Sequence, residues 1–260
     1  MSIIATHHQI NVQGLPTHFV RMGKGTKPVI FLHGWGGSAN SFFSLASELA
    51  TKRPELDLIL VDYPGFGMTQ FPEGAAWDTY RYAEWVYDFM TTLNIPQADF
   101  YIHSFGGRII TRLCERHPSV VSKMILTGAA GIKWPLSARQ KISVKLSQIM
   151  PKFNSGLLRR VQKFAVTKIF GARDWGNVSP ILKPTLQTVL AEEDIREKLT
   201  AISNQTLILW GGKDRITPLK SGNVFAQKLP NNQMKVFPKG RHGIHHTHRA
   251  QIVEALVKFL

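Results

Sequence analysis

Short apolar runs alternate with amphipathic stretches along this chain, and that rhythm restricts the fold more than any other feature of the sequence. LDLILVDYPGFG is a continuous apolar run closed by turn residues, as a strand buried on both faces requires. ADFYIHS, VSKMILTGA and QTLILWGG repeat the pattern, and KPVIFLHG, HHQINVQG and LPTHFVRMG are shorter β-favouring runs ended by glycine. Between them, SANSFFSLASEL places Phe42, Leu45, Ala46 and Leu49 on one helical face. TYRYAEWVYDFMTTL carries an aromatic stripe, and GGRIITRLCERHP and RAQIVEALVKFL also read as helices. Buried strands separated by helices predict an α/β architecture, a mostly parallel sheet covered on both faces.

The rhythm breaks after Gly131. From Lys133 to Arg173 there is no Asp or Glu, yet ten Lys or Arg. SARQKISVKLSQIM and GLLRRVQKFAVTKIF have helical patterning there. The expected organisation is a core domain from 1–131 and 200–260, with 132–199 as a helical insertion.

The net charge of +15 favours anionic partners, but no nucleic-acid fold signature accompanies it, and aromatic residues in the basic stretch are too sparse to stack bases. No run approaches the roughly 20 apolar residues of a membrane-spanning helix. The opening MSIIATHHQI lacks a basic region followed by a hydrophobic segment, so no secretory signal is expected. Cys114 is the only cysteine, which rules out an intrachain disulfide and makes a reducing cytoplasm the expected compartment.

Four motifs carry chemistry. In FYIHSFGGRII a strand runs into Ser104, small residues and a helix, which is how a chain presents a nucleophilic serine on a tight turn. A serine before glycines also serves as a plain helix cap. FLHGWGG follows a buried strand, and its glycines suit a turn that aims a backbone N–H at a reacting carbonyl oxygen. LWGGKDRITP puts Asp214 just beyond a strand, where an acid can orient a histidine. KGRHGIHHTHR holds His242, His245, His246 and His248. No Cys or carboxylate cluster accompanies these imidazoles, so no metal site and no cofactor are expected.

In that order, HGWGG, VDYPGFGMT, HSFGGR, WGGKDRITP and the terminal RHG resemble the α/β-hydrolase superfamily over essentially the whole chain. The similarity is greatest to its small esterase-like members, the carboxylesterase of biotin synthesis among them. The resemblance implies an eight-stranded sheet with a helical cap inserted after the sixth strand. It also implies Ser104 as nucleophile, His242 as general base, with His245 in reserve, and Asp214 as the orienting acid. The backbone amides of Trp35 and Phe105 would form the oxyanion hole. Trp35, Phe105, Trp134 and Phe153 are the expected substrate-binding residues. The other acid position, at the end of the sixth strand, reads LTGAAG and offers no carboxylate.

One departure stands out. Ile102 occupies the place two before the serine where the family has glycine, and its β-branched side chain is expected to displace the following helix or strain it by about 1–3 kcal/mol. The expected activity is hydrolysis of short to medium carboxylic esters through an acyl-enzyme. A non-catalytic binding or signalling protein and a triad-based carbon–carbon bond hydrolase remain the alternatives. The basic insertion reads as lining an apolar acyl pocket, with weak association with an anionic membrane surface as its second reading.

Overall fold

The computed structural model describes residues 5–135 and 179–260. The chain divides into two compact units, Met1–Ile132 with Ile181–Leu260, and Lys133–Pro180. The helical patterns read within 136–178, and Phe153 with them, lie outside the described residues. The expected insertion extended to 199, whereas residues 181–199 fall in the first unit, where Leu182, Leu186, Val189, Ile195 and Leu199 are buried.

The first unit is an α/β structure built on an eight-stranded sheet: β1 (Ala5–Val12), β2 (Leu15–Met22), β3 (Lys27–Leu32), β4 (Leu56–Val61), β5 (Ala98–His103), β6 (Val121–Thr127), β7 (Thr206–Gly211) and β8 (Asn232–Phe237). Their order is β1-β2-β4-β3-β5-β6-β7-β8. β1 and β2, and β2 and β4, pair antiparallel; all other pairs are parallel. The described helices are α1 (Phe43–Lys52), α2 (Thr79–Thr92), α3 (Gly106–Arg116), α4 (Lys183–Ala191), α5 (Leu219–Lys228), α6 (Ile244–Thr247) and α7 (Arg249–Phe259).

β4 is buried along its whole length, as its unbroken apolar run requires. Its one charged residue, Asp57, is accommodated because Arg21 Nε and Nη2 donate to it at 2.7 and 2.6 Å. Alternate strand residues (Val29 and Phe31, Leu58 and Leu60, Leu207 and Leu209) join Leu45, Ala46 and Leu49 of α1 and Ile252, Val253 and Leu256 of α7 in one cluster. α2 starts at Asp78, whose side chain accepts from Arg81 N at 2.7 Å. Its stripe of Tyr82, Trp85 and Phe89 is fully buried.

From β3 the chain adds β4 on one side and later β5 on the other, so the strand order reverses there. In open α/β sheets a crevice opens outside the carboxyl ends at such a reversal. The register pairs Leu32 with Ile102 and His103 with Thr127, which brings the turns after β3, β5 and β6 to one sheet edge.

Candidate active site

Ser104 joins β5 to α3 with a φ of +49°, in the left-handed region that costs a non-glycine residue about 1–2 kcal/mol. Its neighbours enforce the conformation. Ser104 N donates to Thr127 O at 3.1 Å, and Ser104 O accepts from Gly107 N at 2.9 Å and Ala130 N at 2.7 Å. Both glycines stand at close approaches. A Cβ on Gly107 would lie 2.7 Å from Ala129 Cβ and 2.8 Å from Ala130 O. One on Gly106 would lie 3.0 Å from Leu32 O and 3.1 Å from Ile102 Cγ2.

The space that Ile102 takes is therefore found at Gly106, where the missing Cβ leaves room for the isoleucine methyl. Gly106→Ala is expected to cost about 1–3 kcal/mol in urea unfolding. The same change in an Ile102→Ala background should cost clearly less. Equal costs in both backgrounds would show that Leu32 alone sets the limit.

The turn after β3 backs directly onto the serine: a Cβ on Gly34 would sit 3.1 Å from Ser104 Cβ. His33 fixes this turn, its Nδ1–H donating to Gly34 O at 2.8 Å while its Nε2 accepts from Tyr63 N at 3.2 Å. The Trp35 ring stands edge-on to Phe105 at 5.2 Å. Among the described residues, neither the Trp35 nor the Phe105 N–H makes a hydrogen bond. Asp62, read in the sequence only as part of a motif, ties the neighbouring loops together. It accepts from His18 Nδ1 at 2.7 Å, Ala39 N at 2.6 Å and Met68 N at 2.9 Å.

On the loops after β7 and β8, His242 Nδ1 donates to Asp214 Oδ2 at 2.8 Å. The Asp214 side chain is 0% exposed and that of His242 17%. Asp214 Oδ1 accepts from Ile216 N at 2.8 Å and Thr217 N at 3.0 Å. Thr217 Oγ1 lies 2.9 Å from both Asp214 Oδ2 and Gly128 O. Sequence reading missed Thr217. The signal was its place three residues after an aspartate, where a carboxylate typically collects turn amides.

Gly128, at the end of β6, has a φ of +54°, and a Cβ there would lie 3.1 Å from His242 Nδ1. The position without a carboxylate is thus the one on which the Asp–His pair rests. The loops themselves are held by Lys213 N donating to Gly240 O and Gly212 N to Phe237 O, both at 2.8 Å.

The structure thus pairs Asp214 with His242 rather than with His245. His245 is buried, its ring centroid 4.5 Å from that of His103, and its Nδ1 has no hydrogen-bond partner among the described residues. The His103 ring, adjoining Ser104, is 4.7 Å from the His242 ring. Ser104 Oγ itself makes no hydrogen bond among the described residues. Among those residues, no group of three or more His, Cys, Asp or Glu could hold a metal ion. Trp134 is partly buried and belongs to the second unit.

Burial holds three histidines near the site neutral. It pushes His33 down to about 4 and His245 down to about 3, and lowers His103 well below the ordinary value. The unfolded chain takes up these protons near pH 6.5, whereas the folded chain resists them. Stability is therefore fully present above pH 6.5 and declines as the pH falls towards 4. His33 alone withdraws on the order of 3 kcal/mol. A urea midpoint that drops between pH 6.5 and 4, and drops less in His245→Phe, is the expected result.

The sequence model for the alpha/beta hydrolase fold matches residues 27–171 and 184–249. Among curated relatives, 2-hydroxymuconate semialdehyde hydrolase of Pseudomonas putida is 24% identical over 97% of this chain and 93% of its own. The pimeloyl-[acyl-carrier protein] methyl ester esterase of Chromobacterium violaceum is 25% identical over 92% of this chain and 96% of its own. Among solved structures, an esterase from Exiguobacterium antarcticum aligns with a TM-score of 0.76 at 24% identity, covering 98% of this chain and 99% of that one. No helix among the described residues is long and apolar enough to cross a membrane. With the family's sequence model matched over most of its length and the eight-stranded sheet in place, this chain belongs to the alpha/beta hydrolase fold family.

Proposed function

We propose that this chain is a serine hydrolase that cleaves short to medium carboxylic esters through an acyl-enzyme. The observation that carries the proposal is the Asp214–His242 pair at 2.8 Å, on the sheet edge where Ser104 sits on its left-handed turn. Ser104 Oγ attacks the ester carbonyl carbon while its proton passes to His242 Nε2. The oxyanion forms against the Trp35 and Phe105 N–H groups, whose lack of other partners supports that role. His242 then gives its proton to the departing alkoxide as the C–O bond breaks. Water repeats the sequence, losing a proton to His242 and releasing the acid and the free serine.

Because Asp214 Oδ2 accepts from Nδ1, His242 keeps the Nε2 lone pair that a base requires. Trp35 and Phe105 also contact the acyl chain in this reading. Trp134 and Phe153 are assigned to substrate binding on the sequence alone.

The relative acting on 2-hydroxymuconate semialdehyde supports a second reading, in which the same three residues cleave a carbon–carbon bond next to a carbonyl. A series of 4-nitrophenyl esters from acetyl to dodecanoyl, with a β-diketone beside it, separates the two. Turnover that peaks in the short to medium esters is expected. Turnover of the diketone alone would move the assignment to the second reading.

The ten basic residues between 133 and 173 further support weak attachment to anionic membranes. Co-sedimentation with phosphatidylglycerol vesicles at low salt, lost at 0.5 M salt and absent with phosphatidylcholine, is the expected outcome. Equal sedimentation with both lipids would remove the claim.

A further inference from the structure

We infer that Glu192 is a positioning residue for the Ser104 turn, acting through Arg108 and the segment that follows β6; the inference rests on Ser104 being the nucleophile. Apart from Asp174, Glu192 is the first carboxylate after Asp99, Glu115 and the long basic stretch, and it opens the acidic run Glu192-Glu193-Asp194. It follows α4 directly. Its side chain is only 10% exposed. Oε1 accepts from Thr79 N at 2.6 Å and Oε2 from Thr79 Oγ1 at 2.5 Å, so the carboxylate closes the N-terminus of α2. A buried negative charge is favoured there by the free amides of the first turn.

The same carboxylate faces α3, the helix that leaves Ser104. Oε2 lies 3.7 Å from Arg108 Nη1, and Arg108 is itself 10% exposed. Arg108 Nη1 also donates to Glu193 O at 3.2 Å, and Arg112, one turn on, pairs with Glu193 Oε1 at 3.4 Å. Two residues beyond Glu193, Ile195 N donates to Gly131 O at 3.3 Å. The Ile195 side chain fills the space that a Cβ on Gly131 would need. The residue before Gly131 is Ala130, whose N–H holds Ser104 O at 2.7 Å.

These contacts form a closed ring. It runs from Ser104 through Ala130 and Gly131 to Ile195, back along the chain to Glu193 and Glu192, across to Arg108, and down one helical turn to Ser104. A serine with positive φ persists only where its surroundings over-determine it. The serine's own hydrogen bonds reach Thr127, Gly107 and Ala130, and this ring anchors two of those partners by tying Ala130 and the first turn of α3 to the same short segment. A positional error near 1 Å costs a nucleophile about 100-fold in rate, so the clasp bears on turnover rather than on substrate affinity.

The test uses the full chain, 4-nitrophenyl butyrate, and amide hydrogen exchange followed by NMR. Glu192→Gln is expected to lower kcat about 10- to 100-fold with KM little changed, and to speed exchange of the Ala130 and Ile195 amides. The double variant Glu192→Gln/Arg108→Met leaves no buried charge unpaired. It is expected to regain the unfolding midpoint without regaining kcat. Recovery of kcat together with the midpoint would show a merely structural pair and overturn the inference. So would unchanged kcat and unchanged Ala130 exchange in Glu192→Gln. If the wild type hydrolyses neither ester nor β-diketone, the nucleophile reading falls instead. Exchange then decides the clasp alone, faster Ala130 exchange upholding it and unchanged exchange overturning it.

Discussion

Asp214→Asn is expected to lower ester turnover about 10⁴-fold while the protein stays folded. Every partner of this carboxylate is a donor: the Ile216 and Thr217 amides on Oδ1, and His242 Nδ1 and the Thr217 hydroxyl around Oδ2. An amide of the same shape can satisfy only one side. With its oxygen towards the backbone amides, its NH₂ faces His242 and forces the lone pair onto Nδ1, so Nε2 carries a proton and cannot accept one from Ser104. With its oxygen towards His242, the NH₂ opposes two N–H groups. The first arrangement keeps the loop intact, which is why activity rather than folding should fail. Thr217→Val removes one donor and leaves the tautomer unchanged, so its loss should be far smaller. A loss in Asp214→Asn no greater than that of Thr217→Val would show that the carboxylate only shapes the loop.

The second large effect is expected at Gly107. An alanine there places Cβ 2.7 Å from Ala129 Cβ and 2.8 Å from Ala130 O, and the neighbours are backbone or a residue without side-chain freedom. Either α3 or the segment after β6 must move, and both moves break the Ala130 N–H contact with Ser104 O. Gly107→Ala should reduce kcat about 100-fold and stability by about 1–3 kcal/mol, measured by steady-state kinetics and urea unfolding. Unchanged kcat with lowered stability would mean that the turn tolerates displacement, and the positional argument for Ser104 would fail with it.

Much of this architecture is legible in the sequence because burial writes a simple pattern. LDLILV and TLILWG become strands buried at every residue, since both faces of the sheet are covered. The serine turn, the glycine-rich turn and the Asp214 loop are legible because positive φ and close approach admit few residue types. What resists reading is whatever depends on long-range contact. Ile102 is expected to displace or strain α3, and the room for its methyl depends on the bare Cα of Gly106, a dependence four residues away that periodicity does not show. Thr217 and Asp62 look like ordinary turn residues until the loops they tie are assembled. Residues 181–199 read as part of the insertion because they follow it without a strand. Their placement with the sheet unit comes from buried Leu182 and Leu186 and from the Glu192 clasp on Thr79.

The choice between His242 and His245 illustrates the same division. The string RHGIHHTH offers several imidazoles of equal chemistry, and spacing from the last helix ranks them without deciding. Geometry pairs His242 with Asp214, while His245 packs against His103 and Phe42 with its Nδ1 unpartnered among the described residues.

Intact mass spectrometry after treatment with a small fluorophosphonate tests whether Ser104 is an activated nucleophile without presupposing a substrate. The expected result is a single adduct on the wild type and none on Ser104→Ala or His242→Ala. A folded wild type that takes up no adduct, or an adduct that survives in Ser104→Ala, would contradict the account.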